Sequence, residues 1–524
     1  MTSFLLRVEG VNQANFITDT QDLSTVRGAG LLLLNAAEVV EPMLAQLGCN
    51  SSAIIQGASI GLFRVHSSPL AAQNVRKEVA TRLSRRLPHA TFVVDVDETT
   101  DEDPIPRATL LARNRWRQMQ APTVVYPSLH SPLRQKEPCE IDKVRPATHY
   151  QDKAPDGKRL QSASTRQRRE FGRLMKQRFY AREMRRAGAT GQSVLRYTAD
   201  FDDLCGNSPQ WGNLRDKMAV LHLDGNKFTA FATNPDLGRE TALRDFSHGL
   251  RHEQARILRE LIEKISGDVE KRIGDDPDWM NNGKIRLETL LWGGDEITWV
   301  VPAWKGWELL QFFYQQCGAF EQPDDKSNPS WNPNPDPLTY TAGLVFCHKK
   351  APIHSITALA RDLVSRAKQA TNIEKEGEGK KRDGEGANKA GPNRFLYQVL
   401  ESFDYIETVD EGYDPLVLPA DAMGTITRAM PAWRASISRK QLHRLLKNPA
   451  TASDVAQEIK KELQRAQIPE VPVALEAINA LEQATLERNE GDTKVGEAAW
   501  RHIGELWDYV APEKLGATPG RGNA

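Results

Sequence analysis

The chain has 524 residues, enough for roughly two to four domains, each with its own hydrophobic core. Lysine plus arginine and aspartate plus glutamate both number 69, so the composition shows no global bias toward nucleic acid or an anionic membrane. The five cysteines are scattered without a C-x-x-C pair, which disfavours a disulfide framework or a zinc ribbon and favours a reducing, cytoplasmic compartment. No stretch approaches the roughly 18 apolar residues of a spanning helix and no signal peptide is evident, so we expect no membrane partner.

Residues 1–121 predict one compact unit of strands and helices, which we call the first repeat. Its strand segments, such as ATFVVDV at 90–96, have the apolar, β-branched composition typical of strands. The predicted elements are a strand and turn at 4–20, a helix at 30–47, a strand–turn–strand at 53–65, a helix at 70–87, a strand at 90–96 and a helix at 108–120.

Residues 122–210 form an intervening region in which apolar residues are sparse between 126 and 192. Within it, residues 158–186, here called the basic segment, carry eleven lysines and arginines against two glutamates, a local net charge of +9. We expect a helix from about Thr165 onward and a surface that can neutralise RNA phosphates. An arginine-rich helix that is merely a solvated face is the alternative.

Residues 211–425 repeat the order of the first unit and form the second repeat. AVLHLDGNKF places Asp224-Gly225 where the first repeat has Glu9-Gly10, and LLWGGDEITWVV at 290–301 matches AIIQGASIGLFRV at 53–65. Helices at 251–265, 304–316 and 356–369 and a strand at 341–348 complete the correspondence. The sequence therefore predicts an α+β protein made of two βααββαβ units, each a mostly antiparallel sheet with helices on one face.

Two further segments differ in composition from the repeats. Residues 373–392, rich in Glu, Lys and Gly with almost nothing to bury, predict a mobile loop within the second repeat. Residues 426–524 contain several amphipathic patterns, such as ASDVAQEIKKELQRAQ, and predict a C-terminal helical domain.

Three carboxylates in the second repeat indicate a metal site. Asp224 ends one predicted strand, and Asp295 and Glu296 lie at the turn of a predicted hairpin. If the strands are neighbours, the three charges repel by several kcal/mol at an effective dielectric near 20, and a divalent cation relieves that repulsion. Oxygen ligands favour Mg²⁺ or Mn²⁺, and Gly293-Gly294 leaves room for a triphosphate. The alternative is a solvated Gly-Gly-Asp turn that only closes a hairpin.

Three histidines of the second repeat are candidate site residues. His248 and His252 are four residues apart on a predicted helix, but no third ligand is near in sequence, which favours a surface pair without metal. His222 shares a strand face with Asp224, and a hydrogen-bonded structural histidine is favoured over a role near a nucleotide.

HLDGNKF together with LLWGGDEITWVV resembles the paired motifs of the nucleotidyl-cyclase palm found in GGDEF enzymes and in the large subunit of type III CRISPR effector complexes. The second family is the closer, with a Cmr2-like second palm. TAGLVFCHKKAPIHSITALARDLVSRAKQ, NRFLYQVLESFDYIE and the N-terminal VNQANFITDTQDLSTVRGAGLLL extend the resemblance, which is weak over 122–210. It implies two tandem ferredoxin-like palm domains and a C-terminal helical domain.

The resemblance also implies site residues. Asp224, Asp295 and Glu296, with the carbonyl of Gly225, would bind two Mg²⁺ or Mn²⁺ ions. Gly293 and Gly294 would lie against the nucleotide triphosphate, and Lys368 would contact its phosphates.

Three departures from the family pattern stand out. Asn226 replaces a carboxylate that the family often has, and Glu296 replaces the common Asp. No HD nuclease motif precedes the first repeat, so we expect no single-stranded DNase activity, and the cysteine ribbon between the palms is missing.

The function implied is a nucleotidyltransferase that converts ATP or other NTPs into cyclic oligonucleotide messengers by attack of a 3′-hydroxyl on an α-phosphate. The setting implied is antiviral defence, with RNA or CRISPR ribonucleoprotein subunits as partners through the basic segment and the C-terminal helices. Two alternatives remain: a cyclic dinucleotide synthase of different base specificity, and a catalytically silent RNA-binding scaffold.

Overall fold

The computed structural model describes most of both repeats and part of the remaining chain. The described residues are 2–11, 13–57, 59–67, 70–98, 107–121, 137–154, 157–189, 195–226, 228, 240–266, 278–317, 338–377, 392–401, 417–436, 438–440, 442, 461, 464–465 and 502–514.

The first repeat is a four-stranded antiparallel sheet with strand order β2-β3-β1-β4. Different helices cover its two faces. The elements are β1 (Thr2–Val11), α1 (Gln13–Thr18), α2 (Leu23–Glu38), α3 (Val40–Gln46), β2 (Asn50–Gln56), β3 (Ile60–Ser67), α4 (Ala72–Arg86), β4 (Thr91–Asp97) and α5 (Arg107–Gln120).

The intervening region contributes a small hairpin and one long helix. Ser162 caps that helix, because its hydroxyl accepts a hydrogen bond from the amide of Thr165 at 3.2 Å. The elements are β5 (His149–Ala154), β6 (Gly157–Gln161), α6 (Ala163–Arg186), β7 (Arg196–Tyr197), α7 (Phe201–Cys205) and a 3₁₀ helix (Pro209–Leu214).

The second repeat is a six-stranded mixed sheet with strand order β11-β12-β8-β13-β14-β15. Within this sheet β13 and β14 pair in parallel, and the other described pairings are antiparallel. The elements are β8 (Lys217–Gly225), α8 (Glu240–Ser266), β9 (Met280–Asn281), β10 (Lys284–Ile285), β11 (Glu288–Gly293), β12 (Glu296–Pro302), α9 (Ala303–Cys317), β13 (Tyr340–His348), α10 (Ile353–Gly377), β14 (Arg394–Val399), β15 (Leu418–Pro419) and α11 (Ala422–Ser436).

The α+β class is confirmed, but the prediction that helices cover one face of each sheet is wrong. Along β8, Ala219 and Leu221 pack in one hydrophobic cluster with α9, whereas Met218 and Val220 pack in another with α10. In the first repeat, α4 and α5 likewise lie on opposite faces, with Val79 and Leu110 in separate clusters. The continuous apolar runs of these strands are typical of burial on both faces.

The two repeats share a structural irregularity at matching positions. The β2–β3 pairing shifts register between Ala53 and Ile55, and the β11–β12 pairing shifts between Thr289 and Leu291. These positions correspond in the alignment that places Gly57 at Gly293. A β-bulge is a specific feature that rarely coincides by chance, so it supports the duplication inferred from sequence.

Each repeat packs a helix against the edge strand of the other repeat. Helix α2 contacts β11, and helix α8 contacts β2. Between α2 and β11, Arg27 forms a buried ion pair with Glu288, with nitrogen–oxygen distances of 2.6 and 2.7 Å. Between α8 and β2, Arg244 donates to the carbonyl of Ala53 at 3.2 Å and to the hydroxyl of Ser52 at 3.1 Å. The arrangement approximates a twofold relationship between the repeats.

Helix α6 covers the groove between α2 and β11. The helices approach closely at Gly28 and Gly172, where a Cβ on Gly28 would lie 1.7 Å from the carbonyl oxygen of Arg168. From α6, Lys176 lies 2.7 Å from the Glu288 carboxylate, and Tyr180 shares a 2.9 Å hydrogen bond with Thr289. The intervening region therefore joins the two repeats through buried polar contacts.

The described C-terminal residues belong to the core of the second repeat. Helix α11 begins at Ala422, before the predicted boundary at 426, and its residues Met430 and Trp433 pack with Trp507 and Val510 in one cluster. Most of 437–501 lies outside the described residues, so the predicted helical domain stays a prediction.

Two other predictions from the sequence differ in part from the structure. Helix α10 continues to Gly377, so the first residues of the predicted 373–392 loop are helical, since Glu and Lys are good helix formers; 378–391 lie outside the described residues. The span Leu23–Gln46 is long and apolar enough by composition to cross a membrane, contrary to the sequence estimate. In the structure α2 is a core helix of the repeat interface.

Candidate functional site

The three acids lie at one end of the second sheet. Strands β12 and β8 are antiparallel neighbours, and Glu296 stands opposite Asp224 in register. The amide of Gly225 donates to the carbonyl oxygen of Asp295 at 3.1 Å. Opposed residues of an antiparallel pair have Cβ atoms about 5 Å apart, so the fold brings the carboxylates of Asp224 and Glu296 to one end of the sheet, with Asp295 at the adjoining turn. We call this end of the sheet, with its three acids, the acidic edge.

Glycines shape the backbone around this edge. Gly294 and Asp295 form the two-residue turn between β11 and β12, and Gly294 has a φ of +62°, a left-handed conformation that favours glycine. A Cβ on Gly294 would meet nothing within 4 Å, so the turn surface is open. A Cβ on Gly225 would lie 2.9 Å from the Cβ of Asp295 and 2.2 Å from the ring of Phe228. Glycine at 225 is therefore required for the close approach of the turn.

Lys368 of α10 reaches the acidic edge. Its Nζ lies 2.8 Å from Oδ2 of Asp224 and donates to the carbonyl oxygen of Gly225 at 2.9 Å. The two oxygens that the sequence assigned to a metal therefore converge on one cationic atom. The sequence placed Lys368 against nucleotide phosphates; the structure places it against the candidate metal ligands.

Burial and mutual repulsion perturb the carboxylates. Burial, followed by the negative charge of Asp224, raises the pKa of Asp295 to about 6. Burial also raises the pKa of Glu296, although Arg361 and Lys368 favour its ionised form. Carboxyl groups whose pKa is raised by burial and a neighbouring negative charge are typical of functional sites.

The donor set suits a hard divalent cation. Carboxylate and carbonyl oxygens are the ligands that Mg²⁺ and Mn²⁺ prefer, and Asp224 and Gly225 already direct oxygens at a common cation. Across the described part of the chain, no group of three His, Cys, Asp or Glu side chains surrounds a common point at metal-binding distance. Because Lys368 holds the position between Asp224 and Gly225, a metal ion there requires its ammonium to move.

Two residues behind the edge hold it in place. His222 is buried and its Nδ1 shares a 2.8 Å hydrogen bond with the hydroxyl of Thr298 on the neighbouring strand. Burial, with Arg361 and Lys368, lowers the pKa of His222 to about 3, so it is a neutral structural residue, as expected. Gln254 of α8 donates to the carbonyl oxygen of Gly294 at 2.8 Å. Gln254 could not be predicted from the sequence, because a single glutamine in an amphipathic helix gives no signal.

The matching edge of the first repeat has lost its acidic character. Glu9 occupies the position of Asp224, but its carboxylate is neutralised by Arg7 at 2.8 Å and Arg115 at 3.3 Å. Ser59 takes the place of Asp295 and keeps the same backbone contact, since the amide of Gly10 donates to its carbonyl at 3.0 Å. The two turns face each other, because a Cβ on Gly57 would lie 3.6 Å from the amide nitrogen of Gly294.

Many cationic side chains of the basic segment already form ion pairs within the protein. Arg168 is fully buried and pairs with Asp19 at 2.6 Å, and Lys176 pairs with Glu288. The side chains of Arg173, Arg178 and Arg185 on α6 are exposed. Much of the +9 charge therefore serves the α2–α6 packing, which nothing in the sequence of the segment indicates.

Comparisons with known proteins support the fold. No protein-family model matches the chain, and no curated protein matches it. Among solved structures it is similar to Csm1 in T. onnurineus, with a TM-score of 0.52 and 14% identity over 97% of this chain and 70% of Csm1. It is also similar to a Csm1–Csm4 cassette in complex with cA4, at a TM-score of 0.51 and 12% identity over 97% of this chain and 70% of that chain. A third similar structure is a Csm1–Csm4 cassette in complex with pppApApA, at 0.51 and 12% over 97% and 69%. At this level of identity the likeness establishes that the chain has a Csm1-like fold.

Proposed function

We propose that this protein is a nucleotidyltransferase that makes cyclic oligonucleotides from ATP or another NTP with Mg²⁺ or Mn²⁺. The observation that carries the proposal is the edge at which Asp224, Asp295 and Glu296 meet beside an open glycine turn. Structures with the same fold contain cA4 and pppApApA, which supports an adenine nucleotide as the substrate.

The chain's own residues supply three parts of the chemistry. Asp224, Asp295 and Glu296, with the carbonyl of Gly225, would hold the metal ions. The open surface at Gly294 lets a triphosphate approach the backbone without meeting a side chain, whereas Gly293 is buried. Lys368, released from Asp224 when a metal binds, is then free to contact a phosphate.

Divalent ions at this edge would lower the pKa of a 3′-hydroxyl and neutralise charge on the triphosphate. The hydroxyl oxygen then forms a bond to the α-phosphorus, the bond to the leaving pyrophosphate breaks, and the hydroxyl proton passes to solvent. Repetition and ring closure give a cyclic product. The closeness of the Gly57 and Gly294 turns supports a placement of the acceptor nucleotide between the repeats.

The partners proposed are subunits of a type III CRISPR ribonucleoprotein, in a cytoplasmic setting. Cassettes of Csm1 with Csm4 share the fold, which supports a protein partner of that kind. RNA contacts through the basic segment are also proposed, by exposed side chains such as Arg173, Arg178 and Arg185.

Product analysis tests the function. The purified protein is incubated with each NTP and Mn²⁺ or Mg²⁺, with and without candidate RNA and partner subunits, and products are identified by mass spectrometry. We expect a cyclic oligonucleotide from the wild type and none from Asp295→Ala/Glu296→Ala. A cyclic dinucleotide would favour the alternative synthase. Absence of any product under every condition would favour the silent scaffold.

A further inference from the structure

Arg361 is a half-buried arginine of α10 that has no counter-charge in the described part of the chain. Among the described residues its guanidinium makes no hydrogen bond and no ion pair, and the adjoining acid, Asp362, pairs with Arg366 at 2.7 Å instead. By contrast, the half-buried Arg251 pairs with Glu38 at 3.1 Å. Holding a cation partly out of water costs free energy unless it is paired, so Arg361 is a candidate for binding an anion.

The packing of α10 places Arg361 close to the acidic edge. The helix lies directly on the sheet at Gly343, where a Cβ would be 2.0 Å from the carbonyl oxygen of Ala360. Gly343 stands opposite His222 in register, and His222 shares a strand face with Asp224, two residues further along β8. Arg361 follows Ala360, so it begins next to the strand pair that leads into the acids.

Arg361 and Lys368 lie on the same flank of α10. They are seven residues apart, so their side chains are offset by only about 20° around the helix axis and about 10 Å along it. Lys368 contacts Asp224 and the carbonyl oxygen of Gly225 from this flank. The flank that carries Arg361 therefore faces the same end of the sheet.

The charge of Arg361 acts on residues at this end. Burial raises the pKa of Glu296, and Arg361 opposes that effect more strongly than Lys368 does. Burial lowers the pKa of His222, and Arg361 is the charged group that adds most to this shift. Arg361 forms no ion pair with Glu296, so its guanidinium can pair with another anion.

We propose that Arg361 binds a phosphate group of the nucleoside triphosphate at the acidic edge. This inference rests on the proposed nucleotidyl transfer and adds a substrate-binding residue to it. A guanidinium pairs with two phosphate oxygens through parallel hydrogen bonds, whereas the ammonium of Lys368 acts as a point charge. In the metal-free protein Lys368 is held by Asp224, so Arg361 is the cation of this flank that meets an incoming triphosphate.

Binding of ligands that cannot react tests the contact without requiring synthesis. The full chain is titrated by calorimetry in Mg²⁺ with α,β-methylene-ATP, in which a methylene replaces the oxygen of the bond that synthesis breaks, and with inorganic tripolyphosphate. We expect Arg361→Gln to weaken both ligands at least about tenfold, because both carry the phosphates. Arg361→Lys keeps the charge without the guanidinium fork and should recover part of the affinity.

Arg366→Gln is the matched control. It removes an exposed arginine of the same helix, about 140° around the axis from Arg361 and paired with Asp362, so it should bind both ligands like the wild type. The melting temperature of Arg361→Gln should stay within about 2 °C of the wild type, because no described contact of its side chain is lost. That measurement separates a loss of binding from a loss of folding.

Product assays distinguish this inference from the proposed function. Where the wild type makes product, Arg361→Gln should raise the KM for the NTP at least about tenfold with a smaller change in kcat. If Arg361→Gln weakens both ligands and the wild type makes no product, the phosphate contact holds and the proposed synthesis fails. The inference is overturned if Arg361→Gln binds both ligands like the wild type, if Arg366→Gln weakens them equally, or if the wild type binds neither.

Discussion

Lys368 and Asp224 form an ion pair at the end of the second sheet, with Nζ 2.8 Å from Oδ2. The same Nζ lies 2.9 Å from the carbonyl oxygen of Gly225. The lysine thus supplies positive charge to the clustered acids, at the position where we propose that a metal ion binds.

This pairing predicts competition between Lys368 and a divalent metal. Lys368→Gln removes the ammonium, so Mn²⁺ no longer has to displace it, and Mn²⁺ without nucleotide should raise the melting temperature more in this variant than in the wild type. Product formation should fall, since a phosphate contact is lost. Thermal unfolding with and without Mn²⁺ checks the first effect, with the exposed Lys350→Gln as control. Equal Mn²⁺ shifts in all three proteins would contradict the competition.

Asp295→Asn should stabilise the metal-free protein at neutral pH. Because burial and Asp224 raise the pKa of Asp295 to about 6, its ionised form costs stability at neutral pH. The cost falls as the pH drops below the folded pKa and is gone only below the unfolded pKa of about 4. We expect a gain of about 1–3 kcal/mol near pH 7.5 in EDTA that shrinks toward pH 5. Denaturant unfolding at both pH values measures it. Asp362→Asn, at an exposed ion pair on α10, should show no such pH-dependent gain.

The glycines of the turn should differ in their tolerance of a side chain. Gly225→Ala places a Cβ against Asp295 and Phe228, so it should displace the turn and abolish both Mn²⁺-induced stabilisation and synthesis. Gly294→Asn has open space and a residue type that tolerates positive φ, so it should cost no more than about 1 kcal/mol. Unfolding curves and Mn²⁺ titrations of both variants measure the stability cost and the response to Mn²⁺. A Gly225→Ala protein with wild-type Mn²⁺ response would show that the close approach is dispensable.

The acidic edge could be predicted from sequence because strand ends and a Gly-Gly-Asp-Glu turn are local signals, and the repeat supplied the register between them. The contacts between the repeats could not be predicted from the sequence. Arg27 and Glu288 are separated by 261 positions, and nothing in either segment indicates that α2 crosses to β11. The basic segment was misleading for the same reason, since its partners, such as Asp19 and Glu288, lie in distant parts of the chain.

Removing Glu288 should destabilise the interface between the repeats. Glu288 is buried, and burial alone would raise the pKa of its carboxyl. The charges of Arg27 and Lys176 outweigh this effect and lower that pKa. Glu288→Gln leaves two buried cations without a counter-charge, which costs about 3–5 kcal/mol. The triple replacement Arg27→Met/Lys176→Met/Glu288→Leu should recover most of that loss, because no charge is left unpaired. Denaturant unfolding compares them, with Arg178→Gln as a neutral control. A Glu288→Gln protein as stable as the wild type would refute the role of this cluster.

The attachment of the C-terminal residues to the second repeat should weaken in acid. His502 is buried and its Nδ1 is hydrogen bonded to the hydroxyl of Tyr397 on β14, next to the packed side chains of Ile503 and Leu506. Burial lowers the pKa of His502 to about 4, so the detached segment binds a proton below about pH 6.5 that the attached segment excludes. Attachment should therefore lose about 1.4 kcal/mol per pH unit between about 6.5 and 4. Hydrogen exchange of residues 502–514 should increase across this range, and His502→Gln should remove the pH dependence, whereas the exposed His252→Gln should keep it. Exchange in the wild type that follows only the intrinsic pH effect would sink this prediction.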